Sequence, residues 1–127
     1  MCSSDLDVLV SVRLPKRAGW GTHYEKYART AQMWAMVGVA VMVRRENGHI
    51  AEAAVGLTNM GPVPIRARGV EAALAGASAT PDAIAAAAAH AAEGTSPSTD
   101  VTTSAEYRNH LVGVLTRRAV ASAAGLG

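Results

Sequence analysis

The sequence predicts an α+β domain, a small three-stranded antiparallel sheet packed on a bundle of three helices. Two observations carry this. Segments of two-residue alternation fill the first half of the chain, and after Pro62 and Pro64 the pattern gives way to helix formers punctuated by glycines and capping residues. A third is the pair Asn47-Gly48 between two alternating runs, which tolerates the positive φ values of a tight hairpin turn.

Asp7 to Leu14 (DVLVSVRL) sets Val8, Val10 and Val12 against Leu9, Ser11 and Arg13 and is stopped by Pro15, the pattern of a strand. Lys16 to Gly21 reads as a loop, and Thr22 to Ala31, with Tyr24 and Tyr27, as a short extended or irregular segment. Val37 to Arg44 alternates most strictly, Val37, Val39, Val41 and Val43 against Gly38, Ala40, Met42 and Arg44. Ile50 to Thr58 alternates again with Ala51, Ala53, Val55 and Leu57 on one face, so a hairpin is expected with its turn near Arg45 to His49. Arg66 to Ala75, ended by Gly76, predicts the first helix. Thr80-Pro81 has the form of an N-cap and first helical position, opening a second helix through the alanine-rich run Ala83 to Glu93, which ends at Gly94. Thr103 and Glu106 have capping-box spacing and open a long third helix. On it Tyr107, Leu111, Val114 and Leu115 form an apolar stripe, Glu106, His110, Gly113 and Arg117 another, and the chain is expected to fray at 125–127.

With 50% hydrophobic and 17% charged residues among 127, one compact domain is expected. Aromatics are only 4% and Phe is absent, so aliphatic side chains and alanine must fill a thin core, and a neighbour is needed to cover the remaining apolar surface. The net charge of +2 is spread in pairs such as Lys16-Arg17, Arg44-Arg45 and Arg117-Arg118, without the basic stripe and interleaved aromatics of a nucleic-acid surface. Cys2 is the sole cysteine, which excludes an intrachain disulfide and an iron-sulfur cluster held by this chain, and makes a reducing cytoplasm the expected setting. The longest smoothly apolar run, Trp34 to Val43, is too short to span a bilayer, so no membrane insertion is expected.

Four histidines, His23, His49, His90 and His110, show no metal-ligand spacing; Glu106 and His110, four residues apart, could form a helical ion pair. No nucleophile elbow, Walker loop or dinucleotide fingerprint occurs, and no polar cluster suggests a free-standing small-ligand site. Asp7, Asp82 and Asp100 read as boundary or capping residues, and Arg66 and Arg68 as a solvated helix face. Autonomous catalysis has no visible motif.

Three stretches taken together resemble the C-terminal domain of the FAD-binding (medium) subunit of molybdenum hydroxylases, the group of carbon monoxide and xanthine dehydrogenases. The first is Tyr24-Glu25-Lys26, through Arg29, to Trp34-Ala35-Met36-Val37-Gly38-Val39-Ala40. The second runs from Gly48-His49-Ile50-Ala51-Glu52-Ala53 to Gly61-Pro62-Val63-Pro64-Ile65-Arg66-Ala67. The third is Ser104-Ala105-Glu106-Tyr107-Arg108, His110-Leu111 and Val114-Leu115 to Arg117-Arg118-Ala119. The resemblance covers 7–124, leaving 1–6 as a foreign or mispredicted start and 125–127 as a tail. It implies the same three-stranded sheet and three-helix bundle, and a part of an FAD-dependent oxidoreductase that does not turn over as an isolated chain. FAD would be held mainly by two preceding domains, with glycine-rich phosphate loops that an in-frame upstream continuation should encode. The segment Lys26 to Gly38 would approach the flavin ring, making Lys26, Gln32, Trp34, Ala35 and Met36 the implied cofactor-binding residues. Electrons would arrive from a molybdenum site through iron-sulfur clusters on partner subunits, and substrate would be selected in the molybdenum subunit. Met33 departs from the family, which carries an acidic residue there. The alternative is a purely structural assembly module without flavin contact, and the orientation of Gln32 to Gly38, toward the absent domains or toward the bundle, separates the two.

Overall fold

The structure, a computed structural model, describes residues 7–127. Its order is β1 (Gly21–Tyr27), β2 (Val37–Glu46), β3 (His49–Thr58), β4 (Ile65–Arg66), α1 (Arg68–Leu74), α2 (Pro81–Ala88) and α3 (Ala105–Ala123). The strands form one antiparallel meander, β1-β2-β3-β4, in which β4 is a two-residue addition to the three longer strands. The α+β class and the three-helix bundle stand as expected.

The hairpin turns at Asn47 (φ 50°) and Gly48 (φ 79°), two consecutive residues in the left-handed region that a two-residue hairpin loop requires. Val37, Val39, Val41 and Val43 all face the core, as their alternation predicts. In β3, Val55 and Leu57 are buried and Ala53 packs beside them, but so is Ile50, of opposite parity. A register shift explains this. Arg44 pairs with Glu52 and Arg45 with Ile50, so Ala51 is an extra residue on β3, and one inserted residue moves its neighbour to the other face.

Two strand expectations are corrected. Asp7 to Leu14 forms no strand among the described residues; Val8, Leu9, Val10, Val12 and Leu14 are all exposed. Alternation specifies a face to be buried but does not supply the partner that buries it. The outer strand is instead Gly21–Tyr27, whose polar composition gave only a weak signal. It pairs along its whole length with β2, from Gly21 opposite Val43 to Tyr27 opposite Val37.

Among the described residues, helices cover one face of the sheet: α3 lies across β1 and β2, α1 across β3, and α2 bridges the two helices. The approach of β1 to α3 is close enough to require glycine at 21, where a Cβ would run into the carbonyl oxygen of Ala123. At the other end of the same contact, Tyr27 and Tyr107 join by their hydroxyls, and this hydrogen bond raises the Tyr107 pKa above the ordinary tyrosine value. Thr80 caps α2 by accepting from Ala83, with Pro81 first in the helix as its position suggests. That helix stops at Ala88, and Ala89 to Gly94 continue as turns rather than as the helix expected to Glu93. The N-cap of α3 is Ser104, not Thr103, and its hydroxyl accepts from the Tyr107 amide at 3.2 Å. Thr103 is buried instead, and its hydroxyl has no hydrogen-bond partner.

The end of α3 is closed rather than frayed. Gly125, at φ 71°, donates to Ser122 and Leu126 donates to Ala121, the paired bonds of a Schellman motif, while Arg45 Nη1 donates to the Ala124 carbonyl at 2.5 Å. On α3, Leu111 and Leu115 are buried and Val114 half-buried, whereas Tyr107 is exposed; Glu106, His110 and Arg117 lie in solvent. The Glu106–His110 ion pair that their spacing permits does not form, and histidine pairs with carboxylate at His23–Glu25 (3.1 Å) and His90–Glu93 (2.6 Å).

One charge of α3 is interior. Arg108, 1% exposed, pairs with Asp100 and reaches the Asn59 carbonyl at 3.4 Å. Asp100 also accepts from the Thr102 hydroxyl and amide and from the Thr103 amide, which turns a residue read as a simple cap into the organiser of the loop before α3. Arg66 and Arg68 both meet Glu71, whose Oε1 also accepts from the Val55 amide at 2.9 Å, so they brace α1 against β3.

Candidate functional site

Tyr27 lies opposite Val37 and Thr58 opposite Gly38, so the exit of β1, the entry of β2 and the exit of β3 share one end of the sheet. There the β1–β2 connection and the segment following β3 enclose an open cleft of about 860 Å³. Tyr24 and Lys26 enter it from the helix-free face of β1; Gln32, Met33, Trp34 and Ala35 form one wall; Thr58, Asn59 and Gly61 to Pro64 form the other. Gly38 is small for a reason visible here. A Cβ would run into Thr58 Oγ1 and lie 2.9 Å from the Tyr24 hydroxyl, so glycine lets both side chains lie over β2.

Of the five residues named from the sequence, Lys26, Gln32, Trp34 and Ala35 line this cleft. Met36 does not; it is 8% exposed, turned inward where the chain enters β2, and its amide donates to the Tyr27 carbonyl at 2.7 Å. Trp34 stands at the opposite extreme, 94% exposed. Its indole therefore offers a broad apolar surface at the cleft. Met33 also lines the cleft. Among the described lining residues Lys26 is the charged one, which gives the cleft a positive bias.

Tyr24, Thr58 and Asn59 were not among the candidate site residues read from the sequence. Asn59 had a usable signal: a residue tolerant of positive φ directly after an alternating run. It adopts φ 62°, and its Nδ2 donates to the carbonyl oxygens of Ala35 at 2.9 Å and Met36 at 3.2 Å, joining the two walls.

A second groove, of about 610 Å³, crosses the helix-free face between Thr22 and Arg66 and meets the cleft at Tyr24. Ala40, Met42, Ala54 and Gly56 form its floor. Among the described residues no group of three or more His, Cys, Asp or Glu side chains could hold a metal ion, and no helix is long and apolar enough to cross a membrane.

The architecture is thus a meander backed by three helices on one face, with a cleft opening on the other beside an exposed tryptophan. The family model described as CO dehydrogenase flavoprotein C-terminal domain matches residues 22–123, and the chain belongs to this family. It is 33% identical over 118 residues to the carbon monoxide dehydrogenase medium chain of Hydrogenophaga pseudoflava, covering 92% of this chain and 41% of the relative. The corresponding medium chain of Afipia carboxidovorans is 34% identical over 115 residues, 90% of this chain and 40% of the relative. A solved structure of the H. pseudoflava carbon monoxide dehydrogenase lacking the Mo-pyranopterin moiety superposes with a TM-score of 0.82 at 35% identity, over 87% of this chain and 39% of that one. The chain thus spans about two fifths of the length of these relatives.

Proposed function

We propose that this chain completes the flavin site of an FAD-binding subunit and docks that subunit for electron transfer from iron-sulfur clusters to FAD. The observation that carries the reading is Trp34, 94% exposed on a cleft it shares with Lys26. A flavin ring is flat, largely apolar and accumulates negative charge on reduction. Trp34, Pro62 and Val63 supply apolar surface for such a ring, and Lys26 a cation beside it. The residues present therefore fit the group. Bound FAD would supply the redox chemistry, while the residues of this chain would cover the ring, exclude water and bias the potential around it. Of the segment Gln32 to Gly38, whose orientation separates the two readings, Gln32 to Trp34 are exposed while Met36 to Gly38 are buried, so the support for flavin proximity comes from the first half alone. The glycine-rich phosphate loops, the molybdenum and iron-sulfur partners and a cytoplasmic setting belong to the parent enzyme in this reading.

The test is Trp34→Ala in the intact, flavin-loaded subunit. An exposed side chain contributes little to folding, so stability should change by no more than about 0.5 kcal/mol, while the flavin absorption spectrum or its rate of reduction shifts clearly. Unchanged flavin content, spectrum and electron transfer would replace this reading with the assembly module.

A further inference from the structure

We infer that Asn59 is the positioning residue of the cleft, holding the backbone that carries Trp34 against the end of β3. The connection from β1 to β2 leaves the sheet after Tyr27 and turns back through 28–36, so the wall it presents is a loop and must be fixed by something outside itself. One anchor is backbone, the Met36 amide on the Tyr27 carbonyl. Asn59 supplies the complementary one from the opposite wall: both protons of a single amide nitrogen are directed at the adjacent carbonyls of Ala35 and Met36, immediately after Trp34. The left-handed backbone at Asn59 aims the side chain across the cleft, a conformation asparagine adopts at small cost.

The anchor is itself anchored. The Asn59 carbonyl accepts from buried Arg108 on α3. Met60, next in sequence, is fully buried, and its carbonyl accepts from the Ser96 amide at 2.8 Å. The bundle therefore holds Asn59, and Asn59 holds the wall. The consequence for flavin rests on the function proposed above; the clamp itself does not.

Two variants separate a clamp from a mere turn former. Asn59→Gly preserves the positive φ and removes the donors; Asn59→Asp preserves shape and replaces the donors with oxygens facing two carbonyls. In the 127-residue chain, hydrogen exchange at the Met36 amide should accelerate at least about tenfold in both, since release of the wall exposes that bond, while the Val39 to Val43 ladder exchanges as before. Unchanged Met36 exchange in both variants would overturn the inference, because glycine satisfies any requirement of the turn alone. In the flavin-loaded subunit, Asn59→Gly should alter the visible circular dichroism of the flavin in the same direction as Trp34→Ala. An effect of Trp34→Ala without one of Asn59→Gly overturns the positioning role and leaves the flavin site standing. Silence of both, with accelerated Met36 exchange, keeps the clamp and removes the flavin.

Discussion

Asp100 and Arg108 show how one ion pair serves both a loop and a helix. The Thr102 hydroxyl, followed by the amides of Thr102 and Thr103 and the Arg108 guanidinium, holds the Asp100 carboxyl well below the usual carboxylate range. Folding thus depresses this pKa, and the unfolded chain takes up the proton first, near pH 4. The stability it contributes is fully present above that value and is lost as pH falls toward the folded pKa. Asp100→Asn should accordingly flatten the decline of the melting midpoint below pH 4 while lowering the midpoint at neutral pH, where it leaves buried Arg108 without its carboxylate. Equal acid dependence in variant and parent would show that other carboxylates govern it. None of this was legible in the sequence, where Asp100 stands in a Ser/Thr/Pro loop and Arg108 reads as one more charge on a helix. Local spacing reports which groups are neighbours along an element, and the pair joins a loop to a helix interior.

The elements best read from sequence are those whose signals are local. Asn47-Gly48 identified the hairpin because two consecutive positive φ values are a backbone requirement few residue pairs meet. The valines of β2 identified a buried face because alternation and burial coincide there. The bulge at Ala51 was invisible, being a property of the pairing rather than of either strand. The segment 7–14 had the right pattern yet joins no sheet among the described residues, and β1 joined the sheet without the pattern, since its polar side chains point alternately to solvent and to the α3 interface. Four of the five residues that the resemblance named as cofactor-binding line the cleft, yet the opposite wall was missed because it comes from a distant part of the chain. For α3, periodicity and burial agree at Leu111 and Leu115, so a quantitative expectation is possible. Leu115 is 3% exposed within the shared core of sheet and bundle. Leu115→Ala should cost about 2 to 5 kcal/mol, measured by chemical or thermal unfolding. A loss below about 1 kcal/mol would mean that the core collapses around the cavity, contrary to the close packing of helix on sheet.

At the scale of the whole molecule, the sheet carries helices on one side and two meeting grooves on the other, and this asymmetry limits what the chain can bind alone. Tight dinucleotide binding rests largely on the pyrophosphate, which proteins hold with convergent backbone amides at helix N-termini and glycine-rich nests. Here the first turns of α2 and α3 are capped by their own Thr80 and Ser104. The cleft is instead walled by strands and loops that offer an indole, two prolines and a single lysine, so its apolar surface suits a ring while one cation is little to hold a pyrophosphate. Beyond the two walls this chain supplies, the ring would stay open to solvent, and a partly covered ligand recovers little of its desolvation. Micromolar affinity requires about 8 kcal/mol, more than edge contact of this kind provides. The isolated chain should therefore quench FAD fluorescence weakly, with a dissociation constant above the micromolar range, and should not retain the cofactor on purification. Trp34→Ala should leave that weak binding nearly unchanged, since the indole acts once the other walls are present. Submicromolar binding in such a titration would mean that the cleft is a complete flavin site, and that the domain works without the remainder of a subunit.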